Sequence, residues 1–253
     1  MPERKKGKTG IRLWTVLFWL AVWQAGSMAL GQAILLVSPV AVARRLAELA
    51  ITAPFWSSIG FSLLRIASGF LIAVVAGVVL AAAGARFRRL RELISPAMLT
   101  IKAIPVASFV ILVLVWVPSK NLSVVISLLI VLPVVYTNII DGIDAADPKL
   151  LEMTRVFELP ALRAVRYIYV SQVLPYFRAA CSVGLGLCWK AGVAAEVIGI
   201  PKGSIGEKLY ESKIFLNTAD LFAWTATIVI ISYSFEKIFM LLIDKLVGRI
   251  ERM

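Results

Sequence analysis

Histidine does not occur in this chain, and cysteine occurs only twice. The first absence removes the side chain most used as a general base and the imidazole ligands of most catalytic zinc sites. Cys181 and Cys188 stand seven residues apart, two turns of one helix or about 10 Å, too far to bridge each other. No metal centre is expected. There is no Gly-x-x-x-x-Gly-Lys-Ser/Thr loop, and Gly203-Ser204-Ile205-Gly206 is too short to cradle a triphosphate. A Gly-x-Ser-x-Gly elbow is missing as well, so a multi-span hydrolase or transferase lacks a visible catalytic set. Asp141 and Asp144 lie at the end of an apolar run beside a charged segment, where helix capping or interfacial solvation accounts for them better than an acid dyad. Acidic residues are scarce, 15 against 27 basic ones, for a net charge of +12.

That surplus does not mark a nucleic-acid surface, because of where it lies. The chain is 60% hydrophobic over 253 residues, with a mean hydropathy of +0.88, well above the roughly 45 to 50% apolar content of soluble domains. It belongs in a lipid bilayer. A spanning helix needs about twenty predominantly apolar residues, and charge-free runs of that size occur at Leu13 to Ala43, Ile66 to Ala85 and Asn121 to Ile140. Three interrupted runs complete the set. One near Leu93 to Ser119 holds Lys102, one near Val173 to Ile200 holds Arg178, Lys190 and Glu196, and one near Leu221 to Ile243 holds Glu236 and Lys237. The expectation is an all-α polytopic membrane protein with six transmembrane helices.

With both termini inside, the inner side collects Arg4, Lys5, Lys6, Lys8 and Arg12, then Arg86, Arg88, Arg89 and Arg91, then Lys149, Arg155, Arg163 and Arg166, then Lys245, Arg249 and Arg252. The other side has Arg44, Arg45, Lys120, Lys202, Lys208 and Lys213. By the positive-inside rule the topology is N-in and C-in. Residues 1–12 read as a basic tail and 13–53 as an uncleaved first span plus an outer amphipathic helix opened by Ser38-Pro39. Residues 54–247 form the core, and 248–253 a second cytoplasmic tail. In the second span Gly69, Ala73, Gly77, Ala81 and Ala85 recur every four residues, a small-residue stripe that admits a neighbouring helix. Pro105 and Pro133 predict breaks or kinks in the third and fourth spans. Lys190 and Glu196, six apart, lie on largely opposite helix faces and each needs its own partner or a water-filled space.

Between the fourth and fifth spans runs a charged segment, residues 144–170. Asp144 or Asp147 can cap a helix with Pro148 in its first turn. Leu150, Leu151, Thr154 and Phe157 recur at helical spacing, Glu152, Arg155 and Glu158 supply polar faces, and Pro160 predicts a bend before a second short helix. This segment resembles the cytoplasmic coupling loop of the permease subunits of bacterial ABC importers. Glu152 matches the acidic position of the Glu-Ala-Ala motif, Met153 and Thr154 stand where its alanines stand, and Leu174-Pro175 matches the return into the next span. The sequence departs at Glu158, where the family has Gly, and at Val170-Ser171, where it has Leu-Pro. Trp189, Val193, Ala195-Glu196 and the Gly203 to Gly206 turn resemble the nitrate, sulfonate and taurine branch.

The resemblance implies a type I ABC importer permease fold in the bacterial cytoplasmic (inner) membrane. It implies a second permease copy, two cytoplasmic ATPase subunits that carry ATP and magnesium, and an extracytoplasmic substrate-binding protein, with no cofactor on this chain. Leu151, Glu152, Thr154, Arg155, Phe157 and Glu158 are the expected ATPase contacts. Arg65, Lys102, Trp189, Lys190 and Glu196 are the expected lining of a route for a small anion such as a sulfonate, taurine or nitrate. The alternative, an ATP-independent secondary transporter or channel, should carry an internal repeat; the sequence has no convincing one.

Overall fold

A computed structural model describes residues 13–32, 34–158, 160, 163 and 165–250. The described chain folds as α1 Leu13–Leu30, α2 Pro39–Ala50, α3 Ala53–Arg86, α4 Arg88–Ala103, α5 Val106–Leu114, α6 Ser119–Asp144 and α7 Pro148–Val156. A π-helical turn, Val165–Tyr169, then leads into α8 Val170–Gly199, followed by α9 Ile205–Ile214 and α10 Thr218–Ile250. The helices α1, α3, α6, α8 and α10 are each long and apolar enough to cross a membrane.

Helices in lipid gain little from hydrophobic exclusion, so close backbone approach and dispersion hold them together. The glycines record how they lie. Gly69, Gly77 and Gly84 of α3 meet Val124, Val135 and Tyr136 of α6 in the same chain order, so these two helices run parallel. Gly184, Gly192 and Gly199 of α8 meet Val131, Ser127 and Leu122 in reverse order, so α8 runs antiparallel to α6. Two parallel spans adjacent in sequence require a return crossing between them. The return is made by α4 and α5, which meet at a bend of 106°. Lys102 and Pro105 mark that corner, and together the pair constitutes the sixth span, broken where the sequence predicted a break.

The small-residue stripe packs within the chain, against α6. Gly69, Ala73, Gly77 and Ala81 are buried, but Ala85 is exposed and Gly84 takes the last buried place. A repeat of four overshoots the 3.6-residue turn by about 40° each time, so a straight contact must step back by one residue. Phe70, Val131, Leu185 and Trp189 fill the central core beside it. A second apolar cluster of Phe55, Ile59, Ile205 and Trp224 closes the end where α2 and α9 lie.

That end is also held by Arg45 of α2, which pairs with Asp220 of α10 and with Glu48 at 3.0 Å. Hydrogen bonding to Asp220 first, and then to Glu48, raises the Arg45 pKa above its ordinary value. At the opposite end Arg91 of α4 donates to Asp144 of α6 at 2.9 Å and Arg178 of α8 donates to Asp244 of α10 at 2.6 Å. The segment with α7 hangs from this second end. Helix α1 buries none of its residues and is tied near its C-terminus, where the Trp23 indole donates to the Val37 carbonyl at 3.0 Å and stacks near Phe222.

The second short helix expected after Pro160 falls largely outside the described residues; of its first turn only Arg163, which is helical, is described. From Val165 the chain runs through the π turn into α8, so Pro175 lies inside α8 and is not the entry to the span. Its missing amide leaves the Ser171 carbonyl without its helical donor.

A Cβ at Gly69 would come within 2.3 Å of the Val124 carbonyl oxygen, whereas one at Gly60 on the same helix meets no described atom within 4 Å. Gly69→Ala is expected to destabilise the solubilised protein by about 1–3 kcal/mol through overpacking, while Gly60→Ala leaves it unchanged or slightly more stable. Thermal unfolding of the two variants, followed by size-exclusion chromatography, checks this.

Candidate functional site: the exposed elbow and the intramembrane charges

The elbow begins where α6 ends. Asp147 rather than Asp144 caps α7, its Oδ1 accepting from the Lys149 amide at 2.9 Å; Asp144 is engaged by Arg91. Helix α7 is short and amphipathic and presents its apolar side outward. Met153, Val156 and Phe157 are 52%, 78% and 68% exposed, with Glu152 and Glu158 exposed beside them and Thr154 half-buried. The side chains of Leu151 and Arg155 lie outside the described residues. After α7, Phe157 donates its amide back to the Met153 carbonyl at 3.0 Å, and Glu158 turns with φ +48°.

That left-handed conformation is one that glycine reaches freely, whereas a residue with a Cβ is held there at a cost of about 1–2 kcal/mol. Glu158, where the resemblance expects Gly, therefore holds a strained turn with its side chain on display.

The five residues expected along a solute route are not gathered at one place. Arg65 donates to Asn121 Oδ1 at 3.0 Å and lies 4.2 Å over the Phe61 ring, a cation–π contact. Lys102 donates to Thr137 at 3.0 Å. Asn121 and Thr137 are about 24 Å apart along α6 at 1.5 Å per residue, so Arg65 and Lys102 sit at different depths. Trp189 is buried, its ring meeting Phe235 edge-on at 6.2 Å. Next to it Lys190 is exposed and borders a cavity of 490 Å³ between α8 and α10.

Glu196 is different: it is fully buried. Its Oε2 accepts from the Ser62 hydroxyl of α3 at 2.6 Å and from the Gly206 amide of α9 at 3.4 Å, while the Ile205 amide donates to Ser62 Oγ at 3.0 Å. Ser123 of α6 lies against the same carboxylate. The carboxylate thus sits at the positive N-terminus of α9 and ties α8 to α3 and α9. Gly206 is required there, since a Cβ would come within 2.3 Å of Glu196 Cβ. The start of α9 is fixed a second time, by Ser204 accepting from the Glu207 amide at 2.9 Å and Glu207 accepting from the Gly203 amide at 2.6 Å. Ser204-Ile205-Gly206-Glu207 carries the Ser-x-x-Glu capping signature, the signal by which sequence reading could have placed this helix. Nothing in the sequence pointed to Ser62, 134 positions before Glu196.

Glu196→Ala removes the acceptor shared by Ser62 and Gly206 and is expected to lower stability by about 3 kcal/mol, whereas Glu196→Gln keeps an acceptor and loses less. Melting temperatures of the purified variants check the order. At the elbow, Glu158→Gly relieves backbone strain of about 1–2 kcal/mol, partly offset by chain entropy, so limited proteolysis between Phe157 and Arg163 is expected to slow. Equal or faster cleavage would show that the turn is not strained.

Residues 69–252 match the family described as binding-protein-dependent transport system inner membrane component. A permease protein of Bacillus subtilis named for aliphatic sulfonates transport is 26% identical over 208 residues, covering 81% of this chain and 74% of its own. The nitrate import permease protein of Synechococcus elongatus is 25% identical, with 76% and 72% covered. The taurine transport system permease protein of Escherichia coli is 24% identical, with 85% and 80% covered. A chain from the crystal structure of an amino acid ABC transporter with histidines superposes with a TM-score of 0.57 at 20% identity, over 82% of this chain and 97% of that one, a likeness of fold. With its crossing helices and its displayed elbow, the chain belongs to the binding-protein-dependent transport system inner membrane components, as an ABC importer permease of the nitrate, sulfonate and taurine branch.

Proposed function

We propose that this chain is the translocation subunit of an ATP-driven importer for a small anion and that the α7 elbow is where a separate cytoplasmic ATPase grips it. The observation that carries the proposal is the uncovered apolar face of Met153, Val156 and Phe157 beside Glu152, at the end of the bundle where Arg86, Arg88, Arg89, Arg91, Lys149 and Lys245 collect. The positive-inside rule assigns that end to the cytoplasm, with both termini there, in the bacterial inner membrane. An exposed apolar strip rimmed by charge on a short rigid helix suits a groove on a soluble partner.

Two copies of the chain form the pathway, two ATPases bind their elbows, and an extracytoplasmic binding protein delivers the solute at the end carrying α2 and α9. ATP-driven closure of the ATPases draws the elbows together. The helix bundles rotate as bodies, and access to the pathway switches sides. Linkage makes the coupling reciprocal, so the inward-closed arrangement favours ATP closure in turn. Glu152, Arg155, Phe157 and Glu158 are the contacts, with Leu151 and Thr154 supporting the helix. Arg65, Lys102 and Lys190 supply positive charge to an anion route, and the named substrates of the relatives, sulfonate, nitrate and taurine, fit that sign.

Glu152→Ala combined with Arg155→Ala is expected to reduce co-purification of the co-expressed ATPase about tenfold, equivalent to about 1.4 kcal/mol, and to reduce uptake in proportion. Phe157→Ala should act in the same direction. Full assembly and full uptake in the double variant would overturn the assignment of the elbow.

A further inference from the structure

The corner where α3 passes into α4 joins two faces that no described residue covers. On α3, Val75, Val79 and Arg86 fall within about 40° of one another around the helix, and all three are exposed. On α4, Arg89, Leu93, Pro96 and Thr100 share a face in the same way and are exposed as well. Away from the corner each face is uncharged for about two turns. Both end in an arginine beside Phe87, the exposed residue that links the helices.

The basic residues there are of two kinds. Arg88 is held by Glu92 at 3.0 Å, and Arg91 by Asp144 at 2.9 Å. Arg86 and Arg89 are in no ion pair among the described residues, although Arg86 lies 5.7 Å from the centre of the Phe87 ring. Helix α4 is also oblique in the bundle. It meets α5 at 106°, and its Lys102 reaches Thr137 of α6, about 10 Å along that helix from the Asp144 that holds Arg91. The exposed face of α4 therefore leaves the charged end and enters the apolar layer within its own length.

We propose that this corner holds the headgroup of an anionic phospholipid of the inner leaflet, with its phosphate between Arg86 and Arg89 and its acyl chains along the exposed faces of α3 and α4. Charge complementarity selects the occupant. Two guanidinium groups without carboxylate partners favour a headgroup of net negative charge over a zwitterionic one, whose ammonium they repel. Continuity of the charged corner with Val79 and Leu93 selects a lipid over a soluble anion, because a free phosphate leaves those side chains uncovered. A basic turn leading into an apolar helix face is the pattern by which amphipathic helices seat themselves at a lipid boundary. The inference rests on assigning the elbow end to the cytoplasmic side, and the importer reading does not depend on it.

The test is native mass spectrometry of the full-length chain in detergent micelles containing phosphatidylglycerol and phosphatidylethanolamine in equal amounts. The wild-type chain is expected to retain phosphatidylglycerol preferentially. Arg86→Gln combined with Arg89→Gln should lower that retention about tenfold. Lys149→Gln combined with Lys245→Gln makes the same change of charge at the same end and should leave it unaltered. Leu93→Ser keeps the charge and should also weaken retention, and excess glycerol phosphate should not displace the lipid. Size-exclusion profiles establish that each variant is folded; if the arginine pair does not fold, Leu93→Ser and the glycerol phosphate competition still decide the matter. Absence of preference in the wild-type chain, equal losses in the two double variants, or displacement by glycerol phosphate overturns the proposal. So does loss of ATPase co-purification in the arginine variant with lipid retention unchanged, which would give the corner to the ATPase. None of these results touches the elbow, which is tested separately through Glu152 and Arg155.

Discussion

One buried carboxylate sets the geometry on which much of this bundle depends. Glu196 has no exposed surface, and its hydrogen bonds go to Ser62 on α3 and to the first turn of α9. Removing an ionisable group from water inside a membrane is costly, and the cost falls only where directed donors replace the solvent. Those donors reach Oε2 from separate elements, so they meet it only in one arrangement of α3, α8 and α9, while Oε1 has no partner among the described residues. Apolar contact alone would be less exacting, because lipid tails compete for the same surfaces. Close backbone approaches then fix the remaining freedom: Gly69 against the Val124 carbonyl, and Gly192 against Ile66 and Ser127.

Local features of this architecture were legible from the sequence where a residue acts on its own neighbours. Ser38-Pro39 opened α2 as read, with the Ser38 hydroxyl accepting from the Ala41 amide. Pro105 broke the third span, although the 106° corner is set by the parallel placement of α3 and α6 and has no local code. The every-fourth-residue stripe was read correctly as a packing surface, yet its last member turned outward because the helix repeat is not four. Tyr136 is buried in the central core, where Gly84 leaves room for its hydroxyl, a placement with no local signal in the sequence. Charges were visible as charges, but their partners were not. Asn121 for Arg65, Thr137 for Lys102 and Ser62 for Glu196 are tertiary choices. The turn at Glu158 is the reverse case: the sequence shows a departure from the family pattern, and the backbone there has the left-handed conformation that favours glycine.

The division between the two halves of the candidate site follows from the same physics. Within the bundle bare charge is unstable in lipid, and Arg65, Lys102 and Glu196 are each engaged by a neighbour. Outside it, α7 leaves Met153, Val156 and Phe157 facing water. A chain of this composition has ample lipid and protein surface against which to hide three apolar side chains, and their display on a capped helix fits a surface kept available for another protein.

The connection between α6 and α7 has a mechanical meaning. Only Ala145, Ala146 and Asp147 separate the two helices, a span of at most about 10 Å even when fully extended. Slack is smaller still, because the Ala145 amide bonds back to the Asp141 carbonyl, the Ala146 amide bonds to the Ile143 carbonyl, and Ala146 is itself buried. A joint so short cannot absorb a displacement of several ångströms. Force applied to α7 must therefore pass into α6, and α6, keyed by glycine contacts to α3 on one flank and α8 on the other, would carry both of them with it as a single strut.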